Sequence, residues 1–268
     1  YREAHTPWEW HEELFECAKE EGLVCFSSPF DKTAVDFLEN LDVPLYKIAS
    51  FEITDIPLIE YVASKGKPMI LSTGIATLED IELALNTCRR MGNTDIALLK
   101  CTSSYPAPIE EANMAMIPDF KERFNVIPGL SDHTLGSTVP IVATAMGARI
   151  IEKHFILDRS IGGPDSSFSM NEEEFAEMVK AVREAEKALG EVSYEPTKKQ
   201  LKGRDFSRSL YVVKDIIKGE IITEENVKSI RPGFGMHPKY FTQILGSIAK
   251  TNLYRGDRLE EKDIQVEF

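Results

Sequence analysis

Short apolar runs that end in small or polar residues recur along the first two-thirds of the chain, and this recurrence constrains the fold more than any other feature. From one polar end to the next, the runs repeat every 21 to 31 residues. The six runs are Gly22–Asp31, Leu45–Glu52, Pro68–Gly74, Ile96–Tyr105, Val126–Thr134 and Ala148–Phe155. Amphipathic segments such as Thr77–Met91 and Gly136–Gly147 lie between them. The alternation predicts consecutive strand–helix units around a parallel sheet.

The placement of the polar residues favours a barrel over an open sheet. The runs are almost continuously apolar, which indicates strands covered on both faces, and their polar residues collect at the carboxyl ends, as in KIASFE, STG, KCTSSY, SDHT and EKH. A (β/α)8 barrel gathers all its strand ends on one face, where barrel enzymes place their chemistry. The pattern predicts a TIM-type α/β barrel of which this chain carries six of eight strands. Because Tyr1 opens what reads as mid-helix sequence, we expect the natural start to lie upstream.

The remaining third of the chain has a different character. The strand pattern stops after Phe155, and an amphipathic helix is predicted from about Asn171 to Leu189, with an acidic first turn that suits a helix amino terminus. The polar segment 191–205 reads as a linker between a domain of residues 1–190 and one of residues 206–268. The latter contains a weak repeat, DIIKGEIITEENV from Asp215 and NLYRGDRLEEKDI from Asn252. The repeat predicts a small pseudo-symmetric β domain.

Charge and cysteine content narrow the class of protein. The net charge of −13 creates a field that repels nucleic acid and anionic membranes, so neither is expected as a partner. No apolar run approaches the ~20 residues that span a bilayer. The four cysteines show no CxxC spacing, which favours reduced thiols in a cytoplasmic protein. A small anionic substrate stays compatible with this composition, because local Lys and Arg side chains can hold it.

Two histidines offer the sharpest candidate site. His133 and His154 each fall at the end of a predicted strand, 21 residues apart. Adjacent strands lie about 4.8 Å apart, so two imidazoles at the same rim can chelate one metal ion. Alternatively, each ring caps a neighbouring backbone group. The spacing alone leaves both interpretations open.

Other polar groups at the strand ends suggest an anionic substrate. Lys47, Ser50 and Glu52 combine an ammonium, a hydroxyl and a carboxylate, which suits anion binding and proton transfer if the chain turns at Ser50; a solvated Lys–Glu pair is the alternative. Ser72 opens an STG turn ahead of a helix, which can present donors to a phosphate. Asp165 lies in the loop GGPDSSFSM, whose glycines let the backbone approach a ligand. Further donors, with ordinary loop packing as the alternative, are Lys100, Thr102, Ser103 and Tyr105.

Six motifs, in this order and spacing, resemble the sialic acid synthase family: KIASFEITDIPLI, ILSTG, LLKCTSSYP, GLSDHTLG, IEKHF and GGPD. So does HTPWEW near the beginning. The tail, with IKGEIIT and RPGFG at Arg231–Gly235, is similar to that family's C-terminal antifreeze-like (SAF) domain, a β-clip fold. The likeness covers essentially the whole chain. KIASFEITDIPLI and GGPDSSFSM look most like the branch that makes pseudaminic acid, whereas the N-acetylneuraminate branch usually shows a KIGSGE-type strand.

The resemblance implies a transferase that joins phosphoenolpyruvate, an N-acetylated amino-sugar aldehyde and water into a nonulosonic acid and phosphate. For the pseudaminic acid branch, the resemblance implies that the aldehyde is 2,4-diacetamido-2,4,6-trideoxy-L-altrose. It also implies a divalent metal, Mn²⁺ or Mg²⁺, held by His133 and His154. The residues implied to bind the phosphate and carboxylate are Lys47, Ser50, Ser72, Lys100 and Ser131, with Ser103 where the N-acetylneuraminate branch commonly has Asn.

The resemblance further implies that Glu52 manages water or proton transfer and that Tyr105 and Asp165 face the sugar. Arg231 would reach the site from the partner subunit of a domain-swapped homodimer. Family members begin with two further barrel strands that carry an acidic residue and a phosphate-binding lysine, and nothing in this chain matches them. If the chain acts alone, we therefore expect an open barrel and very low activity.

Three alternatives remain at this point. Within the family, the product could be N-acetylneuraminate or legionaminate. A Schiff-base aldolase would use Lys47 or Lys100 as its nucleophile. A non-catalytic protein would instead bind its ligand through residues 206–268 alone.

Overall fold

A computed structural model describes residues 6–265, so Tyr1 and His5, the first residue of HTPWEW, lie outside the described residues, as do the last three of the chain. The chain divides into two compact units, Tyr1–Gly190 and Glu191–Phe268. Within residues 6–265, no helix is both long and apolar enough to cross a membrane.

The first unit alternates strands and helices as the hydrophobic pattern predicts. Its strands are β1 (Tyr46–Ile48), β2 (Met69–Ser72), β3 (Ile96–Cys101), β4 (Ile127–Asp132) and β5 (Ile150–Lys153). Its helices are α1 (His11–Glu20), α2 (Lys32–Asn40), α3 (Ile56–Ala63), α4 (Leu78–Arg90), α5 (Met116–Phe124), α6 (Thr138–Ala145) and α7 (Glu172–Leu189). The strands pair in chain order, and every pairing is parallel. The sheet is curled and amounts to half a barrel.

The prediction of a strand over Gly22–Asp31 is wrong. Residues 23–29 have no regular secondary structure, and Leu23 and Val24 are 67% and 69% exposed. The segment has the composition of a strand, but among the described residues it has no ladder partner for its backbone groups. Phe26 still packs against Ile70 and Leu99 of the sheet. Five strands rather than six therefore form the sheet.

Local capping signals explain why the predicted helices begin where they do. Thr77 and Asp80 form a capping box ahead of α4, and Asn171 and Glu174 form another ahead of α7. Each box satisfies backbone N–H groups that the first helical turn leaves without partners. The predictions of helices over Thr77–Met91 and Asn171–Leu189 are thereby confirmed.

The two faces of the sheet differ. On the outer face, apolar side chains such as Tyr46, Leu71 and Leu98 pack fully buried against helices α2–α4. On the inner face, a smaller cluster contains Ile70, Leu99 and their neighbours. Because strand residues alternate between faces, one residue of each adjacent pair supports the core and the next faces inward.

The second unit is built from short antiparallel pairs. After helix α8 (Lys198–Gly203) come β6 (Ser209–Val212), β7 (Val227–Ile230), α9 (Phe241–Ile244), β8 (Ile248–Ala249) and β9 (Ile264–Gln265). β6 pairs with β7 and β8 with β9. The segment 191–205, read from its polarity as a linker, thus contains a helix, because Thr197 and Gln200 form a capping box.

The repeat in the tail corresponds to reciprocal contacts within the second unit. Ile216 and Leu253, equivalent positions of the two repeats, bond each other's backbone at 2.8 and 2.9 Å. The Asp215 carboxylate accepts from Arg255 N at 2.7 Å, and the equivalent Asn252 accepts from Lys218 N at 2.8 Å. Equivalent residues therefore make equivalent bonds, which agrees with the predicted pseudo-symmetry.

Candidate active site

A cavity of about 230 Å³ lies on the inner face, at the carboxyl ends of the strands. Among its lining residues are seven that the sequence predicts for the site: Lys47, Ser50, Ser72, Tyr105, Ser131, His133 and His154. Ser28 and Glu152 also line it. The strand-end placement of the site is what a parallel sheet built from these motifs predicts.

Strand register explains why the two histidines meet. Ser131 of β4 is the partner of Glu152 of β5, and Asp132 is the partner of Lys153. The next residues along are His133 and His154, whose ring centroids lie 5.1 Å apart. Ser131, His133, Glu152 and His154 all face the cavity because they alternate with Asp132 and Lys153.

Neighbouring groups orient both imidazoles. His133 Nδ1 lies 2.9 Å from the carbonyl oxygen of Thr102. A carbonyl only accepts, so Nδ1 donates in this contact and Nε2 keeps its lone pair for a ligand. His154 Nδ1 lies 3.4 Å from the carboxylate of Asp165. Each histidine thus has an orienting partner of the kind that metal-binding histidines use.

The electrostatic surroundings of the two rings differ. Burial lowers the pKa of His133, but contacts with Cys101 and the Thr102 carbonyl outweigh it and raise the pKa overall. For His154, burial and the neighbouring His133 lower the pKa despite the opposing charge of Asp165. A lowered pKa favours the neutral imidazole, which is the form that binds a cation.

Two aromatic rings form the wall beside the histidines. The Tyr105 ring lies 4.5 Å from that of His133, and the Phe168 ring lies 5.0 Å from that of His154. Tyr105 and Phe168 also contact each other, with centroids 5.6 Å apart. Phe168 is buried, whereas Tyr105 is 46% exposed and offers its face to a ligand.

The opposite side of the cavity carries an ammonium surrounded by oxygen atoms. Lys47 donates to the Ser72 hydroxyl at 2.8 Å and lies 3.6 Å from the Glu152 carboxylate. Ser131 donates to the same carboxylate at 2.6 Å. The Lys47 side chain is only 8% exposed, so its charge is held at the cavity rather than in solvent. This cluster can bind an anion through one cation and several hydroxyls.

Gly74 allows three loops to approach each other beside Lys47. Its N–H donates to the Ser50 hydroxyl at 3.0 Å. A Cβ added at Gly74 would lie 2.0 Å from Ser103 Oγ and 2.7 Å from Ser50 Oγ. Ser50 opens a single turn of 3-10 helix, Ser50–Glu52, so the turn predicted at Ser50 is confirmed.

A buried thiol, Cys101, lies beside His133. Its Sγ is 3.9 Å from His133 Nδ1 and 4.0 Å from Ser103 Oγ. Burial raises the pKa of Cys101, but contacts with His133 and the hydroxyls of Ser50 and Ser131 outweigh it and lower the pKa overall. The sequence reasoning assigned Cys101 no role in the site.

Six of the predicted residues lie outside the lining of this cavity: Glu52, Lys100, Thr102, Ser103, Asp165 and Arg231. Lys100 belongs to the outer-face positions of β3 and donates to the Cys101 carbonyl at 2.8 Å and to Thr102 Oγ1 at 3.2 Å. Asp165 lines an adjoining cavity of about 330 Å³ that shares His154. Arg231 is exposed in the second unit, and within residues 6–265 its guanidinium has neither a hydrogen bond nor an ion pair.

Glu52 is the last residue of the 3-10 turn that begins at Ser50, and it does not line the cavity. Burial raises the pKa of its carboxyl despite the nearby Lys47, and its Oε2 is buried without a hydrogen-bond partner among the described residues. Buried carboxylate oxygens are nearly always paired, so this atom is exceptional.

Two polar lining residues, Glu152 and Ser28, escaped the sequence reasoning, and Glu152 carried a signal. Glu152 lies two residues before His154 in IEKHF, so strand alternation places both on one face. Ser28 lies in a segment without regular structure, and no periodic pattern distinguishes it.

The donor set fits a divalent metal ion with few protein ligands. Within the described residues, no cluster of three or more His, Cys, Asp or Glu side chains is arranged to hold a metal. The two oriented imidazoles could supply two ligands and leave the other positions to water or substrate. An incomplete protein shell of this kind is typical of catalytic rather than structural metals.

Comparison with known protein families shows which family this chain belongs to. Residues 1–194 match the NeuB family, and residues 207–265 match the SAF domain. The chain belongs to the NeuB family. The family prediction made from the six motifs is therefore confirmed.

Individual relatives narrow the resemblance. Over 99% of its length the chain is 51% identical to the pseudaminic acid synthase of Helicobacter pylori and 50% identical to that of Campylobacter jejuni serotype O:23/36. It covers 78% and 77% of these two relatives. Among solved structures, that of the spore coat polysaccharide biosynthesis protein SpsE of Bacillus subtilis is similar, with a TM-score of 0.67 and 33% sequence identity. The match covers 98% of this chain and 79% of the SpsE chain.

Proposed function

We propose that this protein condenses phosphoenolpyruvate with 2,4-diacetamido-2,4,6-trideoxy-L-altrose and water to form pseudaminic acid and phosphate. The observation that carries the proposal is one cavity lined by Lys47, four serines and two adjacent histidines. These groups match the needs of an anionic donor and an aldehyde acceptor. The chain that carries them shares half of its residues with two pseudaminic acid synthases.

Phosphoenolpyruvate would bind at the Lys47 side of the cavity. Its phosphate and carboxylate require a cation and several donors, which Lys47 and the hydroxyls of Ser50, Ser72 and Ser131 supply. Glu152, which contacts Lys47 in the free protein, would release the ammonium to the substrate. Lys100 and Ser103 remain further candidates for this role.

The aldehyde would bind at the histidine side. His133 and His154 would hold the divalent ion, Mn²⁺ or Mg²⁺, which supplies Lewis-acid polarisation of the aldehyde oxygen. Tyr105 and Asp165 would contact the sugar, with Phe168 as an apolar wall behind them. Binding both substrates in one cavity brings C3 of phosphoenolpyruvate to the aldehyde carbon and so removes most of the entropic cost of their encounter.

Proton transfer falls to the carboxylates near Lys47. The carbon–carbon bond forms, water adds at C2 of the former phosphoenolpyruvate, and phosphate leaves, so the water must lose protons. Glu52, whose pKa is raised by burial and whose Oε2 has no hydrogen-bond partner among the described residues, can take up a proton from this water. Thr102 contributes through its carbonyl, which holds the His133 ring.

Further features of the proposal concern organisation. We propose that the sheet belongs to a (β/α)8 barrel over residues 1–190, joined by residues 191–205 to a SAF domain over residues 206–268. We also propose a cytoplasmic domain-swapped homodimer in which Arg231 serves the partner's site. Mixing Arg231→Ala with His133→Ala protein, each inactive alone, would restore activity if the residues act across subunits. Continued inactivity of the mixture would contradict this arrangement.

The main test measures phosphate release from phosphoenolpyruvate with three aldehydes, each with Mn²⁺ and with EDTA. The aldehydes are the diacetamido-trideoxy-altrose, N-acetylmannosamine and the precursor of legionaminate. We expect metal-dependent release with the altrose alone, lost in His133→Ala and kept in His237→Ala, a control in the second unit. Release with another aldehyde would reassign the substrate. If none of the three aldehydes leads to phosphate release, either with this chain or with a chain extended upstream, the proposal is contradicted. That result would favour a non-catalytic binding module.

A further inference from the structure

A buried ion pair lies on the outer face of the sheet directly behind the two histidines. Asp132 of β4 and Lys153 of β5 are register partners, and Lys153 Nζ lies 2.9 Å from Asp132 Oδ2. The two side chains are 2% and 1% exposed. Each immediately precedes one of the histidines in sequence. The pair therefore connects the two strand ends from the side opposite the cavity.

The contacts of this pair surround His133. The Asp132 carboxylate accepts from Thr134 N and from Thr134 Oγ1, both at 3.0 Å. Lys153 donates both to Asp132 and to the Thr134 carbonyl oxygen. Lys153 thus binds the residues on both sides of His133, while its own neighbour is His154. Lys153, which directly precedes His154, therefore holds the chain on both sides of His133.

Stability alone gives little reason for charges at this place. Desolvating two ions offsets most of their attraction, and replacing a buried ion pair by apolar side chains is often neutral or stabilising. The preceding outer-face positions of the two strands are the apolar register partners Leu130 and Ile151; Leu130 is buried, and Ile151 packs against the same hydrophobic cluster. An ion pair does offer a directional connection with defined geometry, which apolar contacts lack.

We propose that Asp132 and Lys153 are positioning residues that set the separation and orientation of His133 and His154 for a divalent metal ion. The inference rests on the proposed metal-binding role of the two histidines. The pair would act on metal affinity through the backbone, since neither side chain lines the cavity. Its loss would let the two strand ends move independently and widen the range of ring separations.

The decisive experiment measures Mn²⁺ binding by electron paramagnetic resonance, together with thermal unfolding without metal. The variants are Asp132→Asn, which is isosteric, and the double variant Asp132→Asn/Lys153→Met, which leaves no charge unpaired. We expect both to unfold cooperatively and to bind Mn²⁺ about 10- to 100-fold more weakly than the parent, the range typical for groups that orient metal ligands. The control is Lys67→Met, which removes an ion pair with Glu39 elsewhere in the same unit and should leave the Mn²⁺ affinity unchanged.

The outcomes separate this inference from the proposed function. If the parent binds Mn²⁺ and either folded variant binds it within twofold, the pair is only structural and the inference is overturned, while the proposed function stands. If the parent binds no Mn²⁺, both fail. If the double variant does not fold, Asp132→Asn alone decides between these outcomes.

Discussion

The inner and outer faces of the sheet carry different chemistry on the same strands. In β1, Tyr46 and Ile48 are fully buried against the helices, while Lys47 between them faces the cavity. In β4, Leu130 packs with α6, while Ser131 contacts Glu152. Because the side-chain period of a strand is two, stability and substrate binding can be assigned to alternate residues. Substitutions on the two faces should therefore have separable effects.

The largest expected effect comes from Lys47→Met on the inner face. It removes the cation for phosphoenolpyruvate and leaves Glu152 without its ion pair. We expect kcat/KM for phosphoenolpyruvate to fall by about 1000-fold, as for the loss of a major charge-stabilising donor. Steady-state phosphate release measures the change, with Lys67→Met as the matched control. If kcat/KM falls by less than tenfold, the phosphate of phosphoenolpyruvate binds elsewhere in the protein.

The outer face should show the opposite behaviour. Leu98 is fully buried in the main core, and Leu98→Ala should lower the free energy of unfolding by about 3 kcal/mol through lost burial and an unfilled cavity. Urea denaturation measures this, with Leu83→Ala on the exposed side of α4 as a control. KM for phosphoenolpyruvate should stay constant in the folded protein. A large rise in that KM would show that the two faces are coupled.

A smaller effect is expected where a loop meets the inner face. Gly74→Ala would place a methyl group 2.0 Å from Ser103 Oγ and 2.7 Å from Ser50 Oγ, so one of these side chains must move. We expect kcat/KM to fall by about tenfold, less than the 100-fold that a displacement of 1 Å can cause. Gly203→Ala, which meets no atom within 4 Å, is the control. Unchanged kinetics would mean that neither serine touches the substrate.

The smallest expected effect concerns Glu52. Burial raises the pKa of the Glu52 carboxyl in the folded protein above its value in the unfolded chain. The contribution of this carboxyl to stability is therefore complete below the unfolded pKa and is lost as the pH rises through the folded pKa. Glu52→Gln should therefore gain stability relative to the parent as the pH rises through the folded pKa of Glu52. Thermal unfolding across this pH range measures the gain, with the exposed Glu60→Gln as control. The same variant should lose activity. If it is as active as the parent, Glu52 takes no part in proton transfer.

Much of the site could be predicted because its residues lie at strand ends. His133, Ser131 and Ser72 follow apolar runs whose limits are visible in the sequence, and a parallel sheet brings such ends together. Lys100 has the same appearance in sequence. It lies one residue before Cys101, however, and only the pairing of Cys101 with Ser131 shows which of the two positions is inward.

Local pattern was also insufficient at Gly22–Asp31. Its apolar residues resemble those of the five true strands, but a strand requires hydrogen-bonded neighbours that a local window does not contain. Glu152 was overlooked for a related reason. Its value to the site depends on Lys47, 105 positions earlier in the chain, and that proximity arises only when the sheet curls.

By itself, the sequence determined the family, the order of strands and helices, and the residue types available for an anion and a metal ion. Apolar periodicity and capping residues act over a few positions, so they can be read from the chain directly. The tertiary structure decided which face each polar residue occupies, that Lys47 contacts Glu152, and that a buried ion pair lies behind the histidines. These relations depend on strand register and curvature, which are set by contacts between residues far apart in sequence.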